Sequence, residues 1–169
     1  MTPTTGTSAV EREVRIEARP ETIFPFFTDP ELFGRWSGVA TLDPKPGGIF
    51  RTDINGERIA RGEYVAIDPP RSVTFTWGWE AEDSLVPPGS STVHITLTPD
   101  GDHTIVRLIH SDLPSSESAD SHGAGWEHYL ERLRVAGAGG NPGPDPWAKR
   151  AAGAEQAGEI DATDGPESS

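Results

Sequence analysis

Five histidines are present in this sequence, and their side chains titrate closest to neutral pH, so acid–base chemistry is sought there first. His110 alternates with Val106 and Leu108, which turns it toward the apolar side of its strand. An inward histidine could donate to a ligand oxygen or move a proton; its bland alternative is a hydrogen bond to segment 112–121 or to the start of the following helix. The bland role is the commoner one for a buried imidazole. His94 alternates against Val93 and Ile95 and is expected to face solvent. His122 and His128, six residues apart, do not share a helical face, so no zinc site is expected. Asp53, Glu57 and Glu63 flank one hairpin and could pair for acid–base work, but solvated charges or partners for Arg51, Arg58 and Arg61 explain them more simply.

Other chemistries lack their residues. There is no cysteine, hence no thiolate nucleophile, thiolate metal site or disulfide. Pro46-Gly47-Gly48 lacks the lysine and hydroxyl of a phosphate loop and reads as a turn. Gly-x-Ser-x-Gly and His-Glu-x-x-His do not occur. No cofactor and no metal are expected, and His110 is the one weak catalytic candidate.

Aromatic residues carry the second signal. Phe75, Trp77 and Trp79 share one face of a strand, which points either to the wall of a cavity or to core filling beneath Trp126. The residues expected around such a cavity are Trp36, Phe50, Phe75, Trp77, Trp79, Ile95, Leu108 and His110 on the sheet side. Trp126, Tyr129, Leu130 and Leu133 are expected on the helix side.

These side chains need elements to position them. Trp126, Tyr129, Leu130 and Leu133 recur at helical spacing, which predicts an amphipathic helix over 123–136. Asp120 or Ser121 is its expected cap, and 111–121 reads as a polar connector. Gly123 and Gly125 read as allowing the helix close to that connector. Strands are expected over 10–18, 39–42, 49–54, 59–67, 71–80, 91–98 and 103–111, with hairpin turns at Asn55-Gly56 and Asp100-Gly101-Asp102. Arg12 falls on the apolar side of the first strand, so that end is expected to be incompletely buried. Two short helices begin at Pro20 and at Asp29-Pro30. The order β-α-α-β-β-β-β-β-β-α makes an α+β fold in which a curved seven-stranded antiparallel sheet grips the last helix.

Composition sets the outer limits. The 169 residues suit one domain, expected over 10–136. Residues 1–9 read as a disordered leader without signal-peptide character, and 137–169 as a disordered acidic tail in which 11 of 33 residues are Gly or Pro. Net charge is −13, and the chain outside that tail still carries −9, a balance that disfavours nucleic-acid binding. No apolar run reaches membrane-spanning length, and a cytoplasmic protein without membrane insertion is expected.

Several residues then carry a family likeness: Arg15-Ile16-Glu17-Ala18, Phe24, Asp29-Pro30, Trp36, Pro46-Gly47-Gly48, Asp68-Pro69-Pro70, Thr76-Trp77, His110 and Gly125-Trp126. In this order and spacing they resemble the START-like (SRPBCC, helix-grip) superfamily over about residues 10–136. Within it, the chain is most similar to the bacterial branch related to the activator of the heat-shock-protein-ninety ATPase. The resemblance implies the helix-grip fold, in which the curved sheet rarely closes fully on its helix, and histidine is frequent at the position of His110. It implies three functional expectations. The first is a module binding a small hydrophobic or aromatic molecule, entering near 111–121 and the short-helix pair. The second is a cyclase or hydratase using His110 with a nearby carboxylate. The third is an interaction protein with a chaperone or regulator partner.

Overall fold

In the computed structural model, residues 8–54, 58–81, 84–143 and 145 are described. Strand β1 (Ser8–Ile16) leads into the short helix α1 (Pro20–Ile23), a 3-10 turn (Phe24–Phe27) and helix α2 (Pro30–Phe33). Proline opens both helices, where a missing N–H is harmless. Asp29 caps α2 by accepting from the Glu31 N–H at 2.9 Å. Strands β2 (Val39–Leu42), β3 (Ile49–Asp53), β4 (Ile59–Asp68), β5 (Ser72–Trp77), β6 (Ser91–Asp100) and β7 (His103–Leu113) follow, then helix α3 (Ser116–Gly137). All neighbours pair antiparallel in the order β1-β7-β6-β5-β4-β3-β2. The α+β helix-grip architecture expected from the sequence is the one observed.

The core lies on the concave face. Phe50 and Phe75 stack at 3.9 Å between ring centroids. The Trp36 indole N–H donates to Phe26 O at 3.0 Å, tying the two short-helix segments together, and the Tyr64 hydroxyl donates to Phe27 O at 2.8 Å, tying them to β4. Those bonds satisfy polar groups that burial would otherwise leave without water.

The long helix differs from the sequence expectation. It begins at Ser116, seven residues before Gly123, and its cap is Ser115, which accepts from the Ser118 N–H at 3.1 Å, rather than Asp120 or Ser121. The polar run Ser116–Ser121 reads as a linker by composition. It is helical because Ser115 caps it, Glu117 suits the positive end of the helix dipole, and buried Ala119 starts the inward stripe. Gly123 and Gly125 also part company. A Cβ on Gly123 would lie 2.9 Å from Val10 Cγ2, so this glycine lets α3 approach β1, not the connector; around Gly125 there is open space. Arg12, on the apolar side of β1, reaches across to Glu127 of α3 at 2.7 Å.

Both chain-end expectations shift as well. Ser8 and Ala9 belong to β1 rather than to a leader. Gly137 ends α3, and the segment after it is held to the helix: Arg132 Nη2 donates to Gly143 O at 2.9 Å, and the Tyr129 hydroxyl to Asp145 at 2.6 Å. Residues 1–7, the Asn55-Gly56 turn with Glu57, and positions 144 and 146–169 lie outside the described residues. Strand β5 stops at Trp77, with Trp79 continuing only through an isolated bridge to Ala60.

Replacing Gly123 with leucine is expected to destabilise the fold by about 1–3 kcal/mol through overpacking against Val10. Urea unfolding at neutral pH measures this, and an unchanged midpoint would show that α3 does not rest on β1 at that point.

Candidate functional site

A cavity of about 310 Å³ opens between α3 and the β5 side of the sheet. That volume sits at the lower end of small-molecule sites, which begin at about 300 Å³. On the helix side it is lined by Ser121, His122, Ala124, Gly125, Trp126 and Tyr129. On the other side lie Phe33 of α2, Ser37, Ile54 and Arg58 beside the β3–β4 turn, and Trp77 and Trp79.

The expected cavity set therefore divides. Trp77, Trp79, Trp126 and Tyr129 line the cavity. Trp36, Phe50, Phe75, Ile95, Leu108, Leu130, Leu133 and His110 do not; all are buried in the packed core instead. Their alternation placed them on the inner face of the sheet or helix, but that part of the concave face is filled by the short helices and by aromatic packing. The residues that sequence reasoning missed are Phe33, Ser37, Ile54, Arg58, Ser121, His122, Ala124 and Gly125. The signal for His122 was Ala119, which extends the inward stripe of Gly123 and Trp126 back by one turn in a helix that starts seven residues earlier than expected.

His110 is fully buried; one partner, Trp126, lies in the first turn of the helix expected over 123–136, and the other, Ser91 on β6, was not anticipated. The Trp126 indole N–H donates to Nδ1 at 3.0 Å, which requires Nδ1 to be an unprotonated acceptor. Nε2 must then carry the proton and donate to Ser91 Oγ at 2.8 Å, while the Ser91 hydroxyl donates to Trp77 O at 2.8 Å. One directed chain of hydrogen bonds thus links α3, β7, β6 and β5. Burial, aided by the nearby His122, pushes the His110 pKa down from 6.5 to about 3. The imidazole is held neutral, with both nitrogens occupied.

His122 repeats the arrangement at the cavity wall. The Trp79 indole N–H donates to Nε2 at 3.0 Å, and Nδ1 donates to Ser118 O at 2.8 Å. Burial and then the positive charge of Arg58 lower its pKa, against the opposing pull of the Ser118 carbonyl. The two imidazoles meet edge to face at 4.9 Å, with Trp77 5.1 Å from Trp126 and 5.3 Å from Trp79. Trp77 differs from its neighbours: its indole N–H is buried and has no hydrogen-bond partner among the described residues.

The remaining polar candidates go elsewhere. His128 meets Asp145 at 2.9 Å, away from His122. Burial, with the Asp145 bond, raises the Tyr129 pKa above its ordinary value. His94 lies on the outer face and bonds the Thr74 hydroxyl at 2.7 Å. Arg51 and Arg61 share Glu80, at 3.1 and 3.2 Å, so their ion-pair partner is neither Asp53 nor Glu63.

The family model described as "Activator of Hsp90 ATPase homolog 1-like protein" matches residues 17–137. The chain belongs to that family. No curated protein matches the chain. Among solved structures, an AHSA1-like protein from Rhizobium etli is 42% identical, covering 83% of this chain and 88% of its own, with a TM-score of 0.66. DynU16, a putative protein in the dynemicin biosynthetic locus, is 25% identical, covering 81% of this chain and 50% of its own, at 0.69. An HSP90 activator from Plasmodium falciparum is 24% identical, with coverages of 76% and 94% and a TM-score of 0.63, and it shows the fold alone. Among the described residues of this AHSA1-like chain, no helix is long and apolar enough to cross a membrane.

Because folded His110 resists protonation while an unfolded histidine accepts it at 6.5, the unfolded state binds more protons between those values. Stability is therefore expected to fall as pH drops from 6.5 toward 3, by on the order of a few kcal/mol from this group. His110→Gln offers the same acceptor and donor without a titrating ring. Its unfolding free energy from urea titration should be lower at pH 7, by about 1–2 kcal/mol, yet fall less steeply on acidification than that of the parent. Parallel curves for the two proteins would exclude a neutral, burial-held imidazole.

Proposed function

We propose that this protein binds a small hydrophobic or aromatic molecule in the cavity between α3 and the sheet. The observation that carries the reading is the cavity itself, about 310 Å³ walled by Trp77, Trp79 and Trp126, with open space where Gly125 lacks a side chain. A packed core without a ligand role has little reason to leave such a volume beside three large aromatic rings, because voids forgo dispersion contacts. The presence of a structural neighbour in the dynemicin biosynthetic locus agrees with small-molecule handling.

Holding is favoured over acid–base turnover. His110 lies behind the cavity wall, and the nitrogens of both His110 and His122 are engaged in hydrogen bonds that need neutral rings. The cyclase or hydratase reading therefore loses the group it was built on. A chaperone-facing role stands as a second reading, favoured by membership of the activator-like family. Stimulation of a chaperone ATPase by the purified protein, absent any bound small molecule, would favour it instead.

Native mass spectrometry of gently purified protein, before and after organic extraction, tests the main reading. A bound species that disappears on extraction is the expected result. Gly125→Leu should fill the open space and return empty protein, while its melting temperature holds or rises because leucine is the better helix former by about 0.8 kcal/mol. Wild-type protein that is empty as isolated, and stays empty through a screen of lipids and aromatic polyketide-like compounds, would remove the proposal.

A further inference from the structure

We propose that His122 makes occupancy of the cavity proton-dependent: a second proton on its ring unseats Trp79 and releases an apolar occupant. This inference rests on the cavity being a ligand site and names how that site is regulated.

Two partners with fixed roles set the proton count of the ring. An indole N–H can only donate, and a peptide carbonyl can only accept. Trp79 donates to Nε2 at 3.0 Å and Nδ1 donates to Ser118 O at 2.8 Å, so the ring carries its single proton on Nδ1. A second proton must go to Nε2. It turns the acceptor of Trp79 into a donor, and two N–H groups then face each other. His122 is half-buried and open to solvent protons, whereas His110 behind it is wholly enclosed. The two histidines share a bonding scheme and differ in access.

Trp79 is the aromatic wall least able to keep its place without that bond. It stands past the end of β5, held otherwise by the bridge to Ala60, the bond from its backbone N–H to Val86 O, and ring contacts. Trp77 and Trp126 belong instead to a strand paired on both sides and to the long helix. Charge acts in the same direction, because an apolar occupant would strip water from an imidazolium in the lining.

The charged and titratable groups that bear on His122 are Arg58, beside the β3–β4 turn, and His110 on β7. Arg58 opposes protonation, and burial keeps His110 neutral. Tyr129, the other ionisable residue of the lining, is kept neutral by burial. Burial also lowers the His122 pKa from 6.5, against the pull of the Ser118 carbonyl, so the transition falls below that pH. Affinity is therefore full above the His122 pKa of the empty protein. It declines as pH falls through that value, by at most about tenfold per pH unit.

The indole N–H signals in proton–nitrogen NMR of the full, ligand-free chain report the seat of Trp79, with Trp79→Phe supplying the assignment. Between pH 7.5 and 5 the Trp79 signal should shift with the same midpoint as the His122 ring, below 6.5, while the Trp126 signal stays fixed. His122→Gln keeps an acceptor and a donor without a titrating ring, and there the Trp79 signal should not follow pH. In calorimetry, 2-naphthamide, uncharged throughout, should bind the parent at least about threefold more weakly at pH 5 than at 7.5. The ratio should be near one in His122→Gln. An uncharged hit from the wider screen takes the place of 2-naphthamide if the latter does not bind. A static Trp79 signal, a midpoint unlike that of His122, a parent ratio near one, or a pH response that survives in His122→Gln overturns the proposal. Binding at pH 7.5 then leaves the small-molecule reading in place. Loss of all indole signals together reports unfolding instead of local release and overturns it as well. Absence of binding by every compound at either pH overturns both.

Discussion

The hydrogen bond from the Trp126 indole to His110 Nδ1 constrains the whole molecule. Apolar contact alone lets a helix slide or roll on a sheet at modest expense, because many packings of similar residues fill space about equally well. A buried donor and acceptor admit one arrangement. Trp126 must sit where Nδ1 can receive it, and that nitrogen is free to accept only while Nε2 carries the proton. Ser91 then has to stand beneath Nε2, and the Trp77 carbonyl beneath Ser91. Strands β5, β6 and β7 are thus held in common reference to one residue of α3. On its other flank, Gly123 lets the helix settle against β1. Drawn toward β1 and tied at Trp126, the helix leaves a gap on its far side, against α2 and the end of β5. The cavity is what remains once these two contacts are made.

The same chain explains the electrostatic character of the interior. Each polar group on it gives or receives in a fixed sense, so the imidazole contributes a dipole and no net charge. A charged ring at this depth would confront the Trp126 N–H with a second donor and lose its solvation. Apart from Asp145, held between His128 and Tyr129, the acidic residues that pair with arginines do so near the surface: Arg12 with Glu127, Arg15 with Asp100, Arg71 with Asp68. Such exposed pairs stabilise little individually. They are compatible with a strongly negative exterior around an interior that is aromatic and neutral.

Much of the fold was legible in the sequence because its signals are local. Alternation through Val106, Leu108 and His110 places those side chains on one face. Prolines at positions 20 and 30 announce two short helices, and Asp100-Gly101-Asp102 announces a hairpin, with Gly101 at a φ of 62°. The site was legible only in part, since alternation tells which face a side chain takes and says nothing of what already occupies that face. Phe50 and Phe75 are inward as expected, but they stack on each other beneath Phe33 and Trp36 and leave no room for a guest. Ile54 reads as the last residue of a strand and Arg58 as a partner for nearby carboxylates, and neither role points to a cavity. His122 was hidden by its polar surroundings, in which Ser115, the true cap of the helix, is one of several serines. Volume and long-range approach decide these positions, and neither has a period in sequence.

The interruption of β5 after Trp77 gives the cavity two unlike ends. Trp77 belongs to a strand paired on both sides, so its ring has a fixed seat. Trp79 lies past the ladder, carried by an isolated bridge to Ala60, a bond from its N–H to Val86 O at 2.7 Å and its contact with His122. Backbone held by a few loop bonds opens at lower free energy than backbone within a sheet. One end of the chamber is therefore a template and the other a compliant cuff. Compounds sharing a common ring system but differing in their distal substituents would find the same seat against Trp77 and varied accommodation around Trp79. Such a receptor recognises a congeneric series by its shared part rather than a single compound by its full outline.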